Sequence, residues 1–262
     1  MSSAVALPTK RNIAGGLWLT LVLLVLLAWS FSGLEINWER VVRLPKTLAR
    51  MAGLFFPPDV EYGRQAVVPA ILESIQIAWF GTLVGAGLSL PLGLLAAGNL
   101  FPRASRAVKP LLAAVRAVPE LLLAIYFVPV VGLGAFAGTL AIGLHSIGTL
   151  GKLTADVVES MDDRTVEAVS ASGGGSLSVL RFAVLPQVLP EIVALWLFRF
   201  EINLRASAVL GVVGAGGIGG VLLNTLRYRE FAQAGAVVVG TVIVVLAIDT
   251  LSGAVRERLV RE

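Results

Sequence analysis

Long apolar runs separated by short polar stretches dominate the chain, and each run approaches the roughly 20 residues that a helix needs to cross a bilayer. The first, GLWLTLVLLVLLAWSFSG (Gly16 to Gly33), follows Lys10 and Arg11. Its apolar core is too long for a signal peptide and lacks an A-x-A-type cleavage pattern, so it reads as an anchor. Further runs fall within Pro69 to Gly98, Pro110 to Val131, Phe136 to Val157, Val188 to Val213 and Phe231 to Ser252. The pattern predicts an all-α, polytopic protein with about six transmembrane helices. Between the first two runs, NWERVVRLPKTLARMAGLFFPPD reads as an interfacial helix ending at Pro57-Pro58. Residues 1–66 are then an anchor plus an extracytoplasmic or interfacial segment, and 67–262 form the core.

Six spans put both termini on one side, and positive charge assigns that side to the cytoplasm. Lys10/Arg11, Arg103/Arg106/Lys109, Lys152/Arg164/Arg181 and Arg256/Arg258/Arg261 all fall there. The five basic residues between Leu34 and Val67 fall outside, in a segment whose length weakens the rule.

Composition narrows the chemistry. Of 262 residues 56% are hydrophobic and 15% charged, against about 25% charged in a soluble domain. With no cysteine and one histidine, His145, the expectation is no thiolate or histidine metal site and no disulfide. No basic run with interleaved aromatics suggests nucleic acid. The lipid bilayer is the expected solvent. An intramembrane hydrolase would need a Ser-His or metal constellation. His145 therefore reads as a packed, hydrogen-bonded residue.

One polar segment is more elaborate than a loop requires. TADVVESMDDRTVEAVSAS carries apolar residues at helical spacing, and Gly173 to Gly175 break it. Ser176 is placed to cap a second short helix, LSVLRFAV, presenting Val179, Leu180 and Phe182 beside Arg181. Pro186 and Pro190 then restart the chain into the next span. The expected shape is a helix-turn-helix elbow whose apolar and cationic tip suits a groove on a soluble partner.

Glu-Ala-Val, three residues, Gly, nine residues, Ala-x-Leu-Pro resembles the EAA loop of binding-protein-dependent ABC importer permeases. Glu167, Ala168, Gly173, Leu185 and Pro186 stand in register, while Val169 and Ala183 depart from it. From about Pro57 onward, and most in RFEINLRASAVLG, the chain is similar to permeases of phosphonate importers. A Tyr would be more usual within Trp196-Leu197-Phe198. The resemblance implies a type I (methionine-permease-like) importer transmembrane domain without catalysis of its own, translocating a phosphonate or a related oxyanion such as phosphite, hypophosphite or phosphate. The GAGGIG tail by itself is also similar to methionine and osmoprotectant permeases, which is the alternative. It implies loop 159–186 as the coupling element, two ATPase subunits that bind ATP and Mg, a second permease copy and an extracytoplasmic phosphonate-binding protein. GTLVGAGLSLPLGLLAAG offers a small-residue face for a homodimer.

The nucleotide motifs on this chain are decoys. HSIGTLGKLT lacks the first glycine of a phosphate-binding loop and places Leu153 where Ser or Thr is needed. GAGGIG (Gly214, Gly216, Gly217, Gly219) matches G-x-G-x-x-G but follows a membrane run, so it reads as an outer gate turn of close chain approach. It is the one interrupted element recognised, with no earlier counterpart, which argues against a gradient-driven carrier built from two related halves.

Charges inside the runs mark a pathway or a brace. Glu201 and Arg205 are four apart and can pair; Arg199 and Asn203 form a second stripe nearly opposite. Arg116 and Glu120 make another such pair, with Pro119 kinking the helix between them. These six are the candidate translocation-path residues.

Overall fold

The computed structural model describes residues 13–34 and 36–261, so Lys10 and Arg11 lie outside the described residues. The chain divides into two units between Ala52 and Gly53. The first holds α1 (Ile13–Ser32) and most of α2 (Trp38–Phe55). On α2 the spacing of Arg40, Arg43, Lys46 and Arg50 gathers cations on one face, while Val41, Leu44, Leu48 and Met51 fall on the other. Arg43 pairs with Glu39 at 2.6 Å, and Asn37 caps the start by accepting the Arg40 amide at 3.1 Å.

The second unit contains α3 (Val60–Ala96), α4 (Pro102–Ala117), α5 (Glu120–Val131), α6 (Ala135–Ser160), α7 (Asp163–Ala171), α8 (Ser176–Val213), α9 (Ile218–Arg227) and α10 (Phe231–Arg261). Among the described residues α3, α8 and α10 are each long and apolar enough to cross a membrane. The third predicted run is not one rod. It is the pair α4 and α5, bent by 80° at Val118-Pro119, because Pro119 has no amide for the helical ladder and forces Val118 into extended geometry. With 26 residues α6 is about 39 Å long, but its last turns carry Lys152, Asp156 and Glu159.

Helices α3 and α6 run parallel with a constant offset. Gly81, Gly85 and Gly93 of α3 and Gly138 of α6 each meet a residue 61 positions away, and the same offset joins Gly98 to Glu159. A Cβ on Gly81 would lie 2.6 Å from Ile142 Cγ2, one on Gly85 2.4 Å from Ser146 Cβ, and one on Gly93 2.5 Å from Thr154 Cβ. Missing side chains therefore let the helices touch, as in membrane interfaces generally. This overturns one expectation: the glycine face of GTLVGAGLSLPLGLLAAG is largely consumed inside the chain and gives no support to a homodimer.

Pro69 and Pro186 are accommodated the same way. Wide π-turns at Gly63–Val67 and Leu180–Val184 precede Pro69 and Pro186 by two residues. Widening the turn moves carbonyls out of the way of the ring and compensates for the missing donor. Consequently LSVLRFAV is not a separate short helix, and Pro186 and Pro190 lie within the continuous 38-residue α8.

The packing predicts opposite effects of one chemical change. Gly85→Ala should destabilise the purified protein by about 1–3 kcal/mol through overpacking, read as a lowered thermal midpoint in detergent. Gly87 has nothing within 4 Å of its added Cβ, so Gly87→Ala should leave the midpoint unchanged or raise it through helix propensity.

Candidate functional site

The elbow forms first from its caps. Asp162 Oδ1 accepts the Arg164 amide at 3.0 Å and opens α7. Gly173, at φ +85°, closes it, and the Gly174 amide returns to the Val169 carbonyl at 3.0 Å. A Cβ on Gly174 would sit 2.7 Å from that carbonyl. The start of α8 has Gly175 as its cap, so Ser176 is the first helical residue and not the cap expected. Val166, Val179 and Leu180 turn inward onto Val157, Val158, Val184, Val188 and Ile192. Val179 and Leu180 are therefore support and not the presented tip. Glu167, Ala168 and Arg181 are exposed, with Leu177 and Phe182 exposed at 77% and 63%. Arg181 lies over the Phe182 ring at 5.5 Å.

The elbow is tied to the helices above it. Glu159 at the end of α6 accepts the Gly98 amide at 2.5 Å and Lys109 Nζ at 2.6 Å. Lys109 first, then the Gly98 amide, hold its carboxyl below the ordinary range. Asn99 Nδ2 donates to the Val158 carbonyl at 2.9 Å.

A second constellation lies at the break between α4 and α5. His145 of α6 bonds through Nδ1 to the Val118 carbonyl at 2.9 Å, satisfying an acceptor left outside both helices. Glu120, the first residue of α5, receives Arg199 Nη2 of α8 on Oε2 at 3.3 Å, with His145 Nε2 at 3.6 Å. Arg199 Nε donates to Ser146 Oγ at 3.2 Å. Asn203 Nδ2, one turn on, donates to Ser146 Oγ at 3.0 Å and Thr82 Oγ1 at 2.8 Å. Four helices are thereby joined by one polar network. A cavity of about 370 Å³ opens beside it, lined by Pro119, Glu120, Leu121, His145, Ala206, Val209 and Leu210.

Two predicted pairs are replaced. Arg116 and Glu120 are four apart, but the break between them ends the shared helical face. Arg116 is exposed beside a cavity of about 380 Å³ lined also by Lys109, Lys152 and Asp156, and Glu120 takes Arg199 instead. Glu201 and Arg205 do share a helix. Glu201 nevertheless turns inward, 3.7 Å from Arg256 Nη2 of α10, whose guanidinium also lies 5.4 Å from the Phe198 ring. That distance is too long for a hydrogen bond, and Glu201 Oε1 has no hydrogen-bond partner. Arg205 is exposed and has no ion-pair partner among the described residues.

After α8, Gly214, Gly216 and Gly217 take φ of 84°, 81° and 81°, which L-residues resist. A Cβ on Gly216 would lie 2.7 Å from the Ala135 amide nitrogen, and one on Gly219 1.8 Å from the Ala208 carbonyl oxygen. The Ile218 amide donates to Ser74 Oγ at 2.8 Å. Close backbone approach accounts for these glycines, and the helix α8, not a strand, leads into them.

The binding-protein-dependent transport system inner membrane component family matches residues 89–262. The chain belongs to this family. The permease is 38% identical over 235 residues to the phosphite transport system permease protein PtxC of Stutzerimonas stutzeri, covering 89% of this chain and 85% of that one. It is 43% identical over 206 residues to the phosphate-import permease protein PhnE of Mycolicibacterium smegmatis, covering 78% of this chain but only 39% of that protein. In fold it matches the MetNI methionine ABC transporter in an inward-facing conformation at TM-score 0.65 and 20% identity, over 74% of this chain and 95% of that one.

In this permease Ser146, Thr82 and Arg256 complete the polar contacts and were not singled out from the sequence. Ser146 and Thr82 lie in small-residue helix stretches where hydroxyls are common, and Arg256 lies in a basic tail. The 80° break had a local signal: Val-Pro followed by an acid leaves an apolar run too short to span alone.

Burial separates the two arginines of α8. Arg199→Leu leaves Glu120 without its arginine partner and should cost about 3–5 kcal/mol, seen as loss of monodisperse protein or a much lower thermal midpoint. Arg205→Leu should leave assembly and midpoint close to wild type.

Proposed function

We propose that the chain is the membrane subunit of an ATP-driven importer of tetrahedral phosphorus oxyanions, with phosphite, phosphate and phosphonate as the cargo class. The observation that carries the reading is the elbow: an EAA-like sequence folded into two capped helices, with Leu177, Phe182 and Arg181 exposed together. A large apolar surface on a polar loop calls for a protein partner. That partner is a separate ATPase carrying ATP and Mg, one beneath each of two permease copies. Both termini lie on the ATPase side, and a phosphonate- or phosphite-type binding protein delivers cargo on the other. The names of the relatives support the cargo class.

The anion path runs along the exposed face of α8. Arg205 shares that face with Val209, four residues on, which lines the cavity at Glu120 and His145. An unpaired cation there attracts an anion that a dry apolar surface would exclude. Arg116, exposed in the last turn of α4 just before the break, extends the basic track.

Reconstitution of permease, ATPase and binding protein in vesicles tests both parts. Gly173→Val forces a side chain into φ +85°, and Phe182→Ala removes the exposed ring. Each should leave the permease in the membrane while cutting cargo-coupled transport at least tenfold; wild-type transport by both variants would remove the elbow from the coupling role. For the path, Arg205→Glu should abolish uptake without altering cargo affinity of the isolated binding protein. Arg205→Lys should retain part of it, since charge survives though the planar fork is lost. Normal uptake by Arg205→Glu would place the path elsewhere.

A further inference from the structure

Arg199 is a guanidinium with 8% side-chain exposure, and a buried cation is costly unless an anion stays beside it. Glu120 supplies that anion, yet its setting differs from that of a sealed structural pair. It begins a helix directly after an 80° break, its side chain is 29% exposed, and it lines the 370 Å³ cavity. One oxygen, Oε2, accepts Arg199 Nη2 at 3.3 Å, and the His145 ring edge stands 3.6 Å away, beyond hydrogen-bond distance. Arg199 is meanwhile held from behind, because Ser146 fixes Nε and leaves the Nη edge toward the carboxylate. A water's share of liquid volume is about 30 Å³, so a cavity of this size has room for a tetrahedral oxyanion beside the carboxylate.

We propose that Glu120 holds, in the resting permease, the place that a phosphorus oxyanion takes on Arg199 during passage. The carboxylate is a tethered competitor of the cargo. The proposal rests on the reading of the chain as an oxyanion permease and adds the internal site. A guanidinium fork accepts carboxylate and phosphorus oxyanion alike, since both present paired oxygens. A tethered competitor has a high effective concentration, so Arg199 stays neutralised between cargo molecules and each cargo molecule is displaced after it binds. Glu120 is suited to withdraw and return because the break at Val118-Pro119 lies immediately before it. Swinging α5 changes the Glu120–Arg199 distance without unwinding α5 or α8.

The test is anion retention by the purified permease alone, in lipid nanodiscs and chloride-free buffer, with radiolabelled inorganic phosphate and methylphosphonate as probes. Glu120→Gln removes the competitor's charge with little change of shape. It should bind one or both probes at least tenfold more tightly than wild type, and its thermal midpoint should rise with probe concentration. Adding Arg199→Gln should abolish the gain. Uptake by the reconstituted importer carrying Glu120→Gln should fall, because cargo is no longer displaced. Where Glu120→Gln fails to assemble, Glu120→Asp retains the charge but withdraws it by one methylene and should also show raised retention. An assembled variant without gain in binding, or a gain that persists in the double variant, overturns the proposal and leaves a structural ion pair. Failure of the wild-type importer to take up any phosphorus oxyanion would instead overturn the cargo assignment, which the vesicle assay reads separately.

Discussion

The parallel contact between α3 and α6 governs much of this fold. Two helices that touch through glycine at a constant offset of 61 residues must point the same way, so the chain between them has to return across the same thickness. That return is α4 and α5. Its apolar part, α5, has 12 residues, about 18 Å of helix, which covers roughly half of a 30 Å hydrocarbon layer. The break is thus placed at depth, and its freed polar groups need partners from the protein because lipid offers none. His145 and Arg199 answer that need, and both stand on helices packed against the glycine seam.

The seam also explains why the polar network is rigid. Gly85 faces Ser146, and Ser146 receives both Arg199 and Asn203. The tightest glycine contact between α3 and α6 and a set of buried hydrogen bonds therefore meet at one serine. A hydroxyl is small enough to fit between close backbones and still accepts two donors. A larger side chain at position 146 would open the seam, and an apolar one would leave Arg199 Nε without a partner.

Much of this was legible in the sequence because membrane constraints are severe. Apolar length located most of the helices, and the spacing from Glu167 to Pro186 located the elbow. Which faces meet was not legible. Arg116 with Glu120 and Glu201 with Arg205 both satisfy the helical four-residue rule, but the rule assumes an unbroken helix in one case and a shared environment in the other. Pro119 removed the first condition. Packing of α8 against α10 removed the second, because it brought Arg256 from a distant basic tail to Glu201. The glycines of α3 looked equally suited to a second copy or to the chain's own α6, since small residues specify closeness but not partner. Prolines misled similarly: Pro186 marks a widened π-turn inside α8, and only three-dimensional hydrogen bonding distinguishes that from a new start.

Continuity of α8 has a mechanical consequence on the proposed reading. Phe182 at the elbow and Arg199 in the network lie on one helix, 17 residues apart by number and so about 26 Å along the axis. A force applied by an ATPase at Phe182 reaches Arg199 through backbone hydrogen bonds, without a loop to absorb it. The compliant place is the π-turn at Leu180–Val184, where the ladder is widest. Compliance there lets the elbow tilt while Val184, Val188 and Ile192 remain packed against Val157 and Val158. Beyond that packing the same motion has one yielding target, the Arg199–Glu120 contact at 3.3 Å. Ser146 and Thr82 hold the α8 side of the network, whereas the break at Val118-Pro119 frees the α5 side. The ends of the transmission are thus unequal by construction: α8 is continuous beyond its π-turn, and α5 is the element free to part from it.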